Sequence, residues 1–185
     1  MLKNSFVQLI LEFLKSLITS LILVLLVTNF ILKPIKVNGS SMFPSLHDQA
    51  LGFSNILAYQ LFGLNRFDVV IVYVESMDEY LVKRVIALPN ETIEFKNDNL
   101  YIDGVEVQER FINSSYQQQI KTPTRNFTLD FGPVILADDE VFLMGDNRPF
   151  SSDSRIFGPF KLDAILSKDI YIFFPLNQVQ WLSGN

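Results

Sequence analysis

A run of 17 residues, Ser16 to Leu32, contains no charge and is dominated by Leu, Ile, Val and Phe. As an α-helix it would cover about 26 Å, against roughly 30 Å for the hydrocarbon interior of a bilayer. Phe6 to Leu14 can extend it. One membrane span is the natural reading. Glu12 and Lys15 are three residues apart, share a helix face and can pair near the interface, so they do not oppose it. A cleaved leader is the competing reading, because Lys3 precedes the apolar stretch. That stretch is too long for one, however, and runs into Leu32-Lys33-Pro34-Ile35-Lys36 instead of an Ala-x-Ala-like site. An uncleaved anchor is therefore expected. Charge leaves its orientation open, since Lys3, Lys15 and the terminal amine on one side are balanced by Lys33 and Lys36 on the other.

Residues 1–36 hold four lysines and one glutamate, whereas the other 149 residues hold 11 basic and 19 acidic groups. Two physical environments follow. The overall charge of -5 argues against nucleic-acid binding, which needs a surplus of Lys and Arg to displace counterions from phosphate. Absence of cysteine removes disulfides, thiolate nucleophiles and Cys-ligated zinc, and the single histidine, His47, cannot build a histidine metal site. No metal and no cofactor are expected.

Beyond Pro34, short runs rich in Val, Ile, Tyr and Phe alternate with Asn, Asp, Gly and Pro. Phe67 to Val74, Tyr80 to Ala87, Thr92 to Phe95, Leu100 to Ile102, Glu140 to Met144 and Lys168 to Phe174 read as strands of a mainly β, antiparallel domain. Lys96-Asn97-Asp98-Asn99 makes Thr92 to Ile102 a hairpin. The chain divides into a tip and anchor, 1–33, and a β-rich domain, 34–185. Within the domain, 106–139 is polar, with Gln117 to Gln119, Pro123 and Pro133, and reads as an irregular insertion. Phe53 to Leu64 carries no charge in twelve residues. It is either a strand and turn of the core or a patch that enters the bilayer.

Three segments carry chemistry. Ser41 opens Ser41-Met42-Phe43-Pro44-Ser45, where it is either a turn serine or a nucleophile. In Leu81-Val82-Lys83-Arg84-Val85-Ile86 one cation falls on each apolar face of a strand, so at least one is partly buried. Lys83 is then either an edge lysine reaching water, or an amine that desolvation keeps neutral and fit to act as a general base. Gly145 to Arg155 holds two Asp, two Arg, three Ser and one Asn, more than a connection requires. Asp153 and Arg155 can pair to fix this loop, and Ser151 or Ser152 can bond a neighbouring amine.

In order along the chain, Ser41-Met42-Phe43-Pro44-Ser45, Arg66-Phe67-Asp68-Val69-Val70, Lys83-Arg84-Val85-Ile86-Ala87-Leu88-Pro89 and Gly145-Asp146-Asn147-Arg148-Pro149-Phe150-Ser151-Ser152-Asp153-Ser154-Arg155 resemble the S-M-x-P-T, R-G-D-V-V, K-R-V-I-G-L-P and G-D-N-R-x-x-S-x-D-S-R boxes of bacterial type I signal peptidases. With its single preceding span the chain looks like their one-anchor subgroup. The resemblance implies an antiparallel β peptidase fold of the type shared with self-cleaving repressor proteases. It implies a membrane-bound serine endopeptidase that releases signal peptides from exported precursors after small residues, and an amino terminus inside with the catalytic domain outside the cytoplasm.

Carried over by position, Ser41 is the nucleophile and Lys83 its base, Ser151 orients Lys83, and Asp153 with Arg155 holds the loop. A dyad of this kind needs no histidine, so His47 is structural. Ile35, Val37, Met42, Leu46, Leu81 and Val82 match positions lining shallow pockets for small side chains, and Ile35 and Val37 alternate as a strand that can pair with substrate backbone. Gly39 stands where some members have a serine whose hydroxyl completes the oxyanion hole, which leaves the second donor open. Ser45 for threonine, Phe67 for glycine, Asn90-Glu91 for Gly-Asp and Pro149-Phe150 are further departures. Precursor proteins and the lipid bilayer are the implied partners. A non-proteolytic chaperone of the same family, serving surface-structure assembly, is the alternative function, which replacement of Ser41 or Lys83 would have favoured.

Overall fold

A computed structural model describes residues 2–122 and 125–184 of the chain. Helix α1 (Leu2–Phe30) comes first, and its stretch Val7–Phe30, with a mean hydropathy of 2.3, is long and apolar enough to cross a membrane. One residue later the chain enters strand β1 (Leu32–Lys36). β2 (Leu51–Asn55) leads directly into α2 (Ile56–Phe62), which Asn55 caps by accepting from the Ala58 N–H. Next come β3 (Val69–Val74), β4 (Glu79–Ala87), β5 (Thr92–Lys96), β6 (Asn99–Ile102) and β7 (Val105–Val107). After α3 (Ser114–Ile120) follow β8 (Phe131–Ile135), β9 (Glu140–Met144), α4 (Ser154–Phe157), β10 (Phe160–Lys161), β11 (Ile165–Phe174) and β12 (Gln180–Leu182).

All pairings are antiparallel. The larger sheet runs β1-β2-β11-β3-β4-β9-β10, with β12 also on β11, and the smaller runs β7-β6-β5-β8. β4 and β9 are apolar on both sides because both sides are covered. Val85, Val141 and Leu143 pack with Val70 and Val72 of β3, while their neighbours Ile86, Phe142 and Met144 face Ile93 and Phe95 of the smaller sheet. A third cluster joins Val37, Met42, Leu46 and Ala50 to Val69, Ile170 and Ile172, and seats the segment after β1 on the larger sheet.

The expected hairpin forms as β5 and β6, with Lys96 opposite Asn99. The expected irregularity of 106–139 is corrected by α3 and β8. Asn113 accepts from the Tyr116 N–H and so starts a helix within the polar run, and Phe131–Ile135 pairs with β5 as an edge strand, where Pro133 leaves no ladder donor missing from the core. Pro123 lies outside the described residues. Phe53 to Leu64 is neither wholly core nor wholly surface. Ser54 is buried, and the Tyr59 hydroxyl donates to the Leu162 carbonyl at 2.8 Å, yet Leu61 and Phe62 are 64% and 74% exposed.

Candidate active site

Ser41 sits in a turn closed by its own backbone. Phe43 N–H donates to Ser40 O at 3.0 Å and Leu46 N–H to Met42 O at 2.8 Å, while Val37 and Ala50 close the base of the loop at 2.8 Å. Gly39, at φ +84°, donates its N–H to Asp48 Oδ1 at 2.7 Å, the main reason that carboxyl titrates below its usual range. A left-handed backbone at this position favours glycine over the serine found in some members.

Lys83 projects from β4, 2% exposed, and its Nζ stands 2.7 Å from Ser41 Oγ. Burial pulls its pKa down. Asp153 and Asp146 work against this and Arg155 with it, leaving the amine at about 8 against an ordinary 10.5. The next residue shows how a buried cation stays charged. Arg84, also 2% exposed, grips Asp146 with two bonds of 2.8 and 2.7 Å and donates to Phe67 O at 2.9 Å. Both cations of the strand are thus buried, one paired and one held against a hydroxyl.

The Gly145–Arg155 loop is fastened at every charged side chain. Arg155 donates twice to Asp153, at 2.8 Å each, and once to Arg148 O, while Asp153 also accepts the Gly145 N–H at 3.0 Å. Burial alone would raise the Asp153 pKa, but the Arg155 guanidinium and the Gly145 amide outweigh it and hold the carboxyl below its usual range. Arg148, buried over Phe95, bonds Gly145 O, Thr128 and Glu109. Ser151 Oγ is buried without a hydrogen-bond partner among the described residues, so no bond to Lys83 is formed.

Asn147, Asp146, Arg148, Glu109 and Tyr116 were not singled out by the sequence. Asn147 N–H donates to Ser41 O at 3.0 Å and its Nδ2 to Ser40 O at 2.9 Å, tying the loop to the serine turn, and the Tyr116 hydroxyl donates to Asn147 Oδ1 at 3.0 Å. For the first three the box letters G-D-N-R were the only signal available, and Glu109 and Tyr116 lie outside every box. His47 packs its ring edge-on to Phe43, away from any hydrogen bond to Ser41.

A cleft of about 400 Å³ lies between Lys33, Ile35 and Lys36 of β1, with Asn38 after it, and Tyr80, Leu81 and Val82 of β4; Ser41 and Lys83 are not among its lining residues. Two strand edges face it. β1 is the last strand of its sheet, and β9 pairs with β4 only from Arg84 onward, which leaves Glu79 to Lys83 without a neighbour on that side. Of the expected pocket residues, Ile35, Leu81 and Val82 line this cleft. Val37, Met42 and Leu46 lie in the core beneath it, the last two 1% exposed.

Comparison with known proteins gives the family. The family described as "Signal peptidase, peptidase S26" matches residues 10–174. Signal peptidase I S of Bacillus subtilis is 37% identical over 172 residues, 92% of each chain, and signal peptidase IB of Staphylococcus aureus is 31% identical over 93% of each. The crystal structure of a signal peptidase I from Enterococcus faecalis superposes with a TM-score of 0.52 at 32% identity, covering 57% of this chain and 95% of that one. The chain belongs to the signal peptidase family, peptidase S26.

Proposed function

We propose that this chain is a serine endopeptidase that cleaves signal peptides from exported precursors, with Ser41 as nucleophile and Lys83 as general base. One observation carries the assignment: a lysine amine, buried and held near pKa 8, stands 2.7 Å from a serine hydroxyl, and it follows directly on Val82, which lines a cleft with two open strand edges. An extended precursor segment adds to these edges by backbone pairing, and the low apolar walls of Ile35, Leu81 and Val82 favour small side chains such as those of an Ala-x-Ala site.

The neutral Lys83 amine accepts the Ser41 hydroxyl proton as Oγ attacks the scissile carbonyl. The resulting ammonium returns that proton to the leaving amine as the C–N bond breaks, and an acyl-enzyme remains. Water then attacks the ester, passing a proton to Lys83, and the ammonium returns it to Ser41 Oγ as the acyl C–O bond breaks, which frees the acid product and regenerates Ser41 and the neutral amine. Asp153 and Arg155 hold the loop that is tied to the serine turn, and Ser151, whose buried Oγ has no hydrogen-bond partner among the described residues, is the group the resemblance gives for orienting the amine. The Ser41 N–H, which bonds no acceptor among the described residues, is the oxyanion donor.

α1 anchors the enzyme, with its amino terminus cytoplasmic and the β domain on the other face. Ile56 N–H donates to Ile31 O at 2.9 Å, so α2 starts beside the end of the anchor and presents Leu57, Leu61 and Phe62 at that level. These side chains meet the bilayer.

The test is to incubate the detergent-solubilised protein with a precursor bearing an Ala-x-Ala site and to sequence the product. A mature terminus starting directly after the second Ala is expected. Absence of cleavage, or cleavage that survives Ser41→Ala, overturns the assignment.

A further inference from the structure

Tyr116 belongs to α3, in the polar insertion, and its hydroxyl donates to Asn147 Oδ1 at 3.0 Å. That bond fixes the plane of the Asn147 amide, whose Nδ2 donates to Ser40 O at 2.9 Å. The Ser40 carbonyl and the Ser41 N–H belong to one peptide unit. In a trans peptide they point in opposite directions, so whatever holds the carbonyl aims the amide. Ser40 O also accepts the Phe43 N–H at 3.0 Å, and Asn147 N–H holds Ser41 O at 3.0 Å, so the carbonyls on either side of the Ser41 nitrogen are both pinned. The Ser41 N–H itself bonds nothing among the described residues.

We propose that Tyr116 is a positioning residue for the peptidase reaction, acting through Asn147 to aim the Ser41 N–H at the oxyanion. This rests on the dyad reading above. Gly39 contributes no side-chain donor here, and its N–H is engaged by Asp48, so the burden of oxyanion stabilisation falls on the aim of one amide. Aromatic packing supports the relay: the Tyr116 ring meets Phe43 edge-on at 5.0 Å and Phe127 at 6.0 Å, so the hydroxyl is presented from a seated ring.

Tyr116→Phe keeps the ring and removes only the hydroxyl. It should lower kcat about five- to tenfold, the scale of one neutral hydrogen bond. KM and the pH of the acid limb should stay in place, because neither the cleft nor Lys83 is touched. In an Asn147→Ala background, itself down by roughly 10²-fold in kcat as for loss of an oxyanion-hole group, the same change should do nothing further. Should Asn147→Ala not fold, Asn147→Asp takes its place, since it keeps the acceptor toward Tyr116 and loses the donor toward Ser40. A kcat within twofold of wild type in Tyr116→Phe overturns the proposal, as does an equal loss in both backgrounds or a shifted acid limb. Activity of the wild type, lost in Ser41→Ala, shows that the dyad stands even where the Tyr116 proposal falls.

Discussion

Gly145 and Ser41 approach so closely that a β-carbon on the glycine would stand 2.3 Å from the Ser41 carbonyl oxygen. The same β-carbon would lie 2.3 Å from Ser151 Oγ. Three parts of the site therefore meet at a point where only hydrogen fits. Gly145→Ala should force the serine turn and the loop apart, costing about 1–3 kcal/mol of stability and most of the activity. Denaturation midpoints and precursor cleavage measured on the same preparation check this, and an active variant of wild-type stability would show that the two segments can separate freely.

Ser41→Ala and Lys83→Met should each remove nearly all turnover, about 10⁴- to 10⁶-fold, and the double variant should lose no more than either alone. Members of a nucleophile-base unit fail together. More than a tenth of wild-type activity in either single variant would contradict their joint role.

Activity should rise with pH along an acid limb near 8, where Lys83 loses its proton, and His47→Ala should leave that limb in place. Profiles of kcat/KM for the two proteins decide the point. A limb that disappears in His47→Ala would transfer the base to histidine.

The same amine makes a prediction about stability. Its pKa is about 8 in the folded chain and 10.5 when exposed, so between these values the unfolded chain binds more protons. Stability contributed by this group then increases with pH, and the cost of burying the charged form, about 3 kcal/mol, is fully present below pH 8 and gone above 10.5. Lys83→Met should be more stable than wild type at neutral pH and should lack the rise between pH 8 and 10.5. Urea titrations at several pH values measure it, and parallel stability curves for the two proteins would refute the depressed pKa.

With the anchor removed by starting at Lys33, the β domain should still co-sediment with lipid vesicles. Leu61→Asp with Phe62→Asp should weaken that binding while leaving the fold intact, because both side chains are more than half exposed. Undiminished binding would place the contact elsewhere on the domain.

Parts of the site could be read from the sequence because they are local in the chain, although Ser41 and Lys83 meet across 42 residues. The alternation around Lys83 announced a buried cation, and the charges of Asp153 and Arg155 lie two residues apart. Tyr116 and Glu109 escaped notice because their meaning depends on partners 31 and 39 residues away, across two sheets. Nothing in a polar run reports such distances. Met42 and Leu46 show the opposite limit: apolar residues near a nucleophile fit a pocket wall and a core equally well, and only packing against Ile170 and Ile172 assigns them to the core. Phe53 to Leu64 hid a helix for a related reason, since seven residues are too few for a 3.6-residue period to stand out from an apolar run.

β1 begins one residue after α1 ends, and its outer edge flanks the cleft. The apolar helix and this strand edge are therefore joined through a single residue, Ile31. With α1 in a bilayer, the helix end would set the height at which a peptide is met, and a precursor would be cut where its own chain emerges to that height. Selection by position above the bilayer would then complement selection by side-chain size, and a flexible spacer between Phe30 and Leu32 is expected to abolish the first while sparing the second.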